Sequence, residues 1–286
     1  MTGSSGMTGR HSCFVLLAVA LLALLRNPVT ALANLALQDG RYSYVAFVPF
    51  ISVVLIYLDR NRIFAESSPS RAWGATVVAV AAGLFLTFPS LSHAAGLPLL
   101  AAALVLAWIG AFIFSYGIAA AKTAAFPLLF LCLCVPPPVG VMESILVALQ
   151  KGSADVSYAF FKLLGVPVLR QGFVFSLPGL DIEVAEQCSG IRSSVSLFIA
   201  SILAGHLVLH STRKKVYLCL LTIPIVIAKN AVRIVVLSLA GAYVDRDILF
   251  GRVHKTSGIL FSPVAFLVLA GLLLMLYRSE KKSRVG

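Results

Sequence analysis

The stretch VYLCLLTIPIVIAKNAVRIVVLSLAG, residues 216–241, decides the fold. It is apolar on every side of a helix, and at 1.5 Å per residue about 20 such residues cross the hydrocarbon core of a bilayer. Its only charged residues are Lys229 and Arg233, near its second end. A helix with no aqueous face belongs in lipid or in a large protein core. Composition chooses lipid: 59% of the 286 residues are hydrophobic and only 12% are charged, against about a quarter in soluble domains. Mean hydropathy is +0.97.

Read in the same way, the whole chain offers apolar runs near residues 13–37, 42–58, 72–89, 97–117, 123–141, 189–209, 216–241 and 257–277. The expectation is an all-α polytopic membrane protein of about eight transmembrane helices. Residues 13–277 form one transmembrane domain in this reading, after a Gly/Ser-rich segment 1–12 expected to be disordered and before a basic cytoplasmic tail, 278–286. Ala31-Leu32-Ala33 is similar to a signal cleavage site, but the first span is read as uncleaved. No internal repeat is visible, which disfavours an inverted-repeat transporter.

Charge sets the orientation. The net charge of +12 has no basic stripe on a soluble face, which excludes a nucleic-acid binder of the usual kind. Arg10, Arg60, Arg62, Arg71, Lys122, Arg213, Lys214, Lys215 and the tail fall on one side, whereas the tight loops 38–41 and 90–96 on the other hold only Arg41. Both termini are therefore expected in the cytoplasm.

An outer-face insertion, about 142–188, interrupts the pattern. Residues 142–164 are amphipathic and predict a helix lying on or dipping into the interface. In QGFVFSLPGLDIEVAEQC, Phe173, Phe175 and Leu177 alternate with Val174 and Ser176, Pro178-Gly179 marks a turn, and Ile182 and Val184 alternate with Asp181 and Glu183. That predicts a β-hairpin delivering the chain to Cys188 at the start of the sixth span.

Depth then sorts the polar residues. His206 lies about 26 Å beyond Ser189 along the sixth span, so it belongs to the inner end with His210. Arg192, four residues after Cys188, is expected on the same helical side. The seventh span runs outward, so Asn230 and Arg233, three apart and on one face, emerge at the outer level. His254, just before the last span, joins them; His93 in the 90–96 loop is its competitor. Lys229, Arg246, Arg252 and Lys255 are expected to be solvated or lipid-facing. Of the five cysteines only Cys188 has polar neighbours, and no CxxC pair or interleaved histidine suggests a disulfide framework or a metal site. No metal or cofactor is expected.

Cys188, Arg192, Asn230, Arg233 and His254 thus form one layer from three helices. A thiol at a helix N-terminus beside cations is readily ionised, a histidine can move its proton, and an arginine fork can hold an oxyanion. On composition alone the plainer readings stand beside this one: a lone cysteine that packs, arginines that snorkel to headgroups.

The motifs EVAEQCSGIRSS (183–194), KNAVRIVVLS (229–238) and a histidine before the last span resemble the exosortase/archaeosortase family of membrane transpeptidases. FPLLFLCLCVPPP (126–138) and LQDGRYSYVAFVPFISVVLIYLDR (37–60) extend the resemblance over nearly the whole chain, with Tyr44 where a histidine would be expected. The resemblance implies Cys188 as nucleophile, Arg233 as transition-state arginine and His254 as acid/base. Arg192, Asn230 and Glu186 are taken as supporting or substrate-binding residues. It also implies a site at the outer face of a bacterial cytoplasmic membrane, acting on exported proteins whose carboxy-terminal sorting signal joins a short motif, often Pro-Glu-Pro, to a hydrophobic span and a basic cluster. An unidentified acceptor takes the product. The alternative from another class is a non-enzymatic permease or assembly component of exopolysaccharide export, which needs a polar path through the membrane; the sequence shows a layer and no such path.

Overall fold

The computed structural model describes residues 3–65, 67–86, 93–178, 180–184, 190–244 and 252–285, with backbone only at 3–6, 93–95, 252–259 and 283–285. It falls into two compact units, Met1–Val141 and Met142–Gly286.

The first unit opens with α1 (Gly3–Leu24) and α2 (Arg26–Gln38). One continuous span was expected here; the helix instead breaks at Leu25. Pro28 has no N–H to give the Leu24 carbonyl, and the chain resumes through Val29, which donates to the Leu25 carbonyl at 3.1 Å. α1 also takes in most of the segment expected to be disordered, because two of its polar residues are fastened. Arg10 donates to the Ser67 carbonyl and, at 2.6 Å, to the Ser67 hydroxyl, and His11 Nδ1 lies 2.8 Å from the Tyr116 hydroxyl.

A 3₁₀ turn, Gly40–Ala46, leads into α3 (Val48–Leu58). Asp39 starts this turn by accepting from the Arg41 amide at 2.9 Å and pairing with its guanidinium at 2.6 Å. That guanidinium holds the Asp39 carboxyl below its ordinary pKa. There follow α4 (Arg60–Ile63), α5 (Arg71–Leu86), α6 (His93–Thr123), α7 (Ala125–Phe130) and a 3₁₀ turn, Leu131–Cys134. α5 and α6 meet backbone to backbone: a Cβ at Gly74 would lie 2.5 Å from Phe114 atoms, and one at Gly110 would lie 2.8 Å from Val78. Small residues at such crossings let membrane helices approach. α6 is interrupted at Gly117, whose φ of 90° and ψ of 173° leave the helical region. The Ser68 carbonyl fills the space a Cβ would need, 1.7 Å away.

In the second unit α8 (Val139–Leu163) buries one stripe, Met142, Leu146, Gln150, Ser153, Ala154, Ser157 and Phe161. This is the amphipathic helix read from the sequence. The predicted hairpin is β2 (Val174–Leu177) with β3 (Leu180–Glu183), antiparallel with Phe175 opposite Ile182. A third strand, β1 (Leu169–Gln171), pairs with β2 and was not anticipated. Phe175 and Leu177 point inward, and the Phe175 ring meets Phe161 of α8 edge-on at 5.5 Å. Val184, Ile234 and Val235 complete that core. The helices α9 (Ile191–Val208), α10 (Thr212–Tyr243) and α11 (Arg252–Val285) pack around Leu197, Leu209, Leu218, Val226, Ala265 and Leu269.

At the turn between α9 and α10, Glu280 of α11 accepts the His210 and Ser211 amides at 3.2 and 2.7 Å. It is 7% exposed. A carboxylate there satisfies donors ahead of the first turn of α10 and complements that helix end's positive dipole.

Among the described residues six helices are long and apolar enough to cross a membrane, and a seventh candidate is the broken pair Ala125–Cys134 and Val139–Leu163. α5 is apolar but shorter. Together these match the eight apolar runs. The surface pattern is that of a protein solvated by lipid. Leu16, Phe50, Trp73 and Leu267 stand exposed, while Ser52, Ser115, Ser153, Ser157, Ser201, Thr222 and Ser238 are buried between helices. The chain is a multi-pass, all-α membrane protein with one small sheet.

Candidate functional site

α10 carries the polar residues. Asn230 and Arg233 lie on its buried stripe with Val226, Ile234 and Leu237. Asn230 is fully buried and Arg233 is 9% exposed. A buried amide needs partners, and Asn230 Nδ2 donates to Ser153 Oγ of α8 at 3.0 Å. Its Oδ1 has no hydrogen-bond partner among the described residues. Next to it the Ser157 hydroxyl reaches the Ser153 carbonyl at 2.7 Å and the Ala231 carbonyl at 3.4 Å, tying α8 to α10.

Gly190 is set against this cluster. It is the N-cap of α9 in the left-handed region, φ 68° and ψ 20°, where an L side chain is strained. A Cβ on it would stand 3.1 Å from Asn230 Oδ1 and 3.3 Å from Lys229 Nζ. The Ser193 and Ser194 hydroxyls both turn back to the Gly190 carbonyl, at 2.9 and 2.8 Å, and Lys229 Nζ donates to Ser193 Oγ. Lys229 therefore lies partly buried between α9 and α10, and the expectation that it is solvated or lipid-facing is corrected. The cause is a hydroxyl on another helix, within reach of its long stem.

The chain is held equally firmly before this point. The Val184 amide donates to the Phe173 carbonyl at 2.9 Å, and the Val184 carbonyl accepts from Gln150 Nε2 of α8. Gln150 and Ser153 thus serve the two sides of one site: Gln150 fastens the end of β3, and Ser153 fastens the amide behind the start of α9.

The expected site residues fall out as follows. Asn230 and Arg233 share the buried face of α10, as their spacing required. Arg192 does not join them, since it is exposed on α9, off the buried stripe of Ile191, Ser194, Leu197 and Ser201. The sixth span was expected to begin at Cys188; α9 begins at Ile191, because the left-handed Gly190 cannot continue a right-handed helix. Cys188 and Glu186 lie outside the described residues. The backbone places His254 in the first turn of α11 and His93 at the first position of α6. Gln150, Ser153, Lys229, Gly190 and Ser193 were missed. For the first two a signal existed: they are polar residues at core positions of an amphipathic helix.

Among the described residues no group of three or more histidine, cysteine or acidic side chains is placed to hold a metal ion. The first unit has a cavity of about 650 Å³ whose lining includes His11, Phe14, Arg60, Phe64, Trp108 and Tyr116. Its lining contains neither a thiol nor a carboxylate. The second unit's cluster instead offers two cations, a buried amide and a helix N-terminus with no side-chain cap, next in sequence to a cysteine. This suits the binding of a peptide carbonyl or carboxylate.

No curated protein and no solved structure matches the chain. The family model of the transmembrane exosortase (Exosortase_EpsH) matches residues 36–271, from the end of α2 into α11 and through every element that builds the cluster. With a multi-pass helical fold and that match over most of its length, the chain belongs to the transmembrane exosortase family.

Proposed function

We propose that this exosortase is a membrane cysteine transpeptidase acting on exported proteins that carry a carboxy-terminal sorting signal. It works at the outer face of the cytoplasmic membrane, with both termini inside. The Cys188 thiolate attacks the scissile carbonyl, and Arg233 holds the oxyanion. The C–N bond breaks as His254 protonates the departing amine, which leaves a thioester on Cys188. An acceptor nucleophile then loses its proton to His254 and attacks the thioester, regenerating the thiolate. If water is the acceptor, the same steps amount to proteolysis.

The observation that carries this reading is the packing of Gly190 onto Asn230, with buried Arg233 one turn along α10. Cys188 stands two residues before Gly190 in the chain, and two peptide units reach at most about 7 Å. In this reading the thiol works beside the cations of α10, since a thiol near positive charge ionises more readily. Asn230, with Ser153 behind it, serves as a positioning residue, and Glu186 as a substrate contact. Arg192, exposed on α9, is reserved for lipid or for the substrate's flank.

The test is a tagged, exported reporter ending in a short glutamate-containing motif, an apolar span and a basic cluster, co-expressed with the enzyme. Wild type shortens the reporter; Cys188→Ala, Arg233→Ala and His254→Ala leave it intact while still accumulating in the membrane. Shortening by Cys188→Ala equal to wild type removes the nucleophile. Loss with His93→Ala but not with His254→Ala moves the acid/base role to His93.

A further inference from the structure

The peptide chemistry proposed for the second unit makes no use of the first unit's cavity of about 650 Å³. Volumes of about 300–1,000 Å³ hold a small ligand, whereas close-packed interiors leave few voids larger than a water molecule. The spacing of aromatic residues builds this one. Phe14 lies three residues beyond His11 on α1, and Trp108, Phe112 and Tyr116 recur every four residues on α6, so each helix turns a ring-bearing face to the cavity. The rings brace one another. Phe14 meets Trp108 edge-on at 5.5 Å, Phe112 meets Tyr116 at 4.9 Å, and Phe64, just after α4, meets Tyr116 at 4.7 Å. A wall of locked rings does not collapse into the space it encloses.

Two openings give the occupant's shape. Val53 and Tyr57 of α3 line the cavity and are 58% and 62% exposed, so it opens sideways to lipid. Beyond the end of α3 the lining turns polar, with Arg60, Asn61 and, from α1, His11. The Arg60 head is fixed: Nη1 donates to the Tyr57 carbonyl at 2.8 Å, and Cζ stands 4.2 Å from the centre of the Tyr57 ring. A guanidinium has five N–H donors, so this anchoring leaves others for a ligand. His11 offers one more. Its Nδ1 lies 2.8 Å from the Tyr116 hydroxyl, and with that hydroxyl donating, the ring proton sits on Nε2.

Charge chooses the occupant's sign. Arg10 donates to Ser67, and the Ile118 amide donates to Ser70 Oγ at 3.4 Å, so residues 67–70 draw the start of α1 and the end of α6 to one end of the unit. That end gathers Arg10, Arg60, Arg62, Arg71 and Lys122, against Asp59 and Glu66 in the same stretches of sequence. Pairing both carboxylates still leaves cations in excess. An amphiphile with an anionic head and an apolar chain suits both openings. A soluble anion leaves the ring wall unused, and a neutral hydrophobe does nothing for the charge.

We infer that the cavity binds one anionic phospholipid of the adjoining leaflet, which is the inner leaflet in the orientation proposed above. Its phosphate accepts from Arg60 and His11, and one acyl chain lies along Phe14, Trp108 and Phe112, so that the lipid joins α1, α3 and α6. Basic pockets between membrane helices on the cytoplasmic side hold such headgroups. Such a site is independent of the peptide chemistry.

The test uses the full-length protein, delipidated in mild detergent, with dioleoyl phosphatidylglycerol or dioleoyl phosphatidylcholine added at equal concentration. At saturation phosphatidylglycerol should raise the unfolding temperature of wild type by about 5 °C or more, and phosphatidylcholine by far less. Glycerol phosphate, a head without chains, should give no shift. Arg60→Gln should lose the difference between the lipids. Arg62→Gln removes an equal charge at the same end from a residue that does not line the cavity, and should keep it. Val53→Trp puts a ring into the side opening at an exposed position and should lose it; this variant stands in for Arg60→Gln if that one fails to accumulate. Cys188→Ala should behave as wild type.

Equal shifts with the two lipids overturn the lipid site and leave an apolar gap filled passively. A difference retained by Arg60→Gln, or by Val53→Trp in its place, does the same. Complete loss in Arg62→Gln also overturns it, since diffuse surface charge then suffices, and a full shift with glycerol phosphate removes the lipid as occupant. Reporter processing that survives Cys188→Ala removes the transpeptidase reading and leaves this site untouched, so the two fall separately.

Discussion

Replacing Gly190 by alanine tests the packing on which the site depends. Two costs follow from the structure. The left-handed backbone, φ 68° and ψ 20°, disfavours an L residue by roughly 1–2 kcal/mol. The new Cβ would also meet Asn230 Oδ1 at 3.1 Å, Lys229 Nζ at 3.3 Å and Asn230 Cγ at 3.5 Å. Lys229 can swing aside. Asn230 is fully buried and held by Ser153, so relieving its contact adds about 1–2 kcal/mol of overpacking. Gly165 and Gly172 separate the two terms: both have positive φ, 68° and 63°, and neither would meet another atom within 4 Å. Their alanine variants should lose only the backbone term. At about 2–4 °C per kcal/mol, thermal unfolding in detergent at one scan rate should place Gly190→Ala several degrees below Gly172→Ala. Reporter processing should fall about ten- to a hundredfold in Gly190→Ala, as small misplacements of catalytic groups do, and remain near wild type in both controls. Equal melting temperatures for Gly190→Ala and Gly172→Ala, with unchanged processing in the former, would refute the close approach and the site drawn from it.

Three other outcomes follow from the packing of the same helices. Ser153→Ala removes the acceptor of Asn230 Nδ2 and should cost about 1–3 kcal/mol, read as a lower melting temperature; Ser153→Thr, which keeps the hydroxyl, should cost less. Gln150→Leu strands the buried Val184 carbonyl and should destabilise by a similar amount, with limited proteolysis showing earlier cleavage within the three-stranded sheet than in wild type. Gly117→Ala places a Cβ where the Ser68 carbonyl stands, so it should sharply reduce recoverable folded protein, whereas Gly83→Ala, open on all sides in α5, should not.

Hydrophobicity alone made most of the architecture legible. Eight apolar runs correspond to the six long helices, the broken pair and the short α5, because the bilayer sets one length scale that a window of sequence can measure. The hairpin was equally readable, since Phe173, Phe175 and Leu177 alternate up to a Pro-Gly turn. What escaped was local or long-range. A hydropathy window averages across Leu25 and hides the donor missing at Pro28, and β1 has three residues, too few to show a period. The Asn230–Arg233 face followed from spacing along one helix. Its support did not: Ser153 is 77 residues away from Asn230, and serines are scattered throughout the chain. Lys229 was misread because its surroundings are decided by Ser193 on a different helix. The sixth span was read as starting at Cys188, and only the left-handed backbone of Gly190 shows that α9 starts at Ile191.

Glu280 has a consequence for handling the protein. Its two bonds fasten the end of the last helix to the corner that starts α10, and α10 bears both Asn230 and Arg233. Deleting the final seven residues, or fusing a tag at that point, severs the clasp and leaves two amides unsatisfied at the head of the helix that presents the site. A purification handle is therefore better joined after Gly286 than grafted in place of the charged ending, and a truncated preparation with poor activity would signal a loosened helix rather than a missing catalytic group.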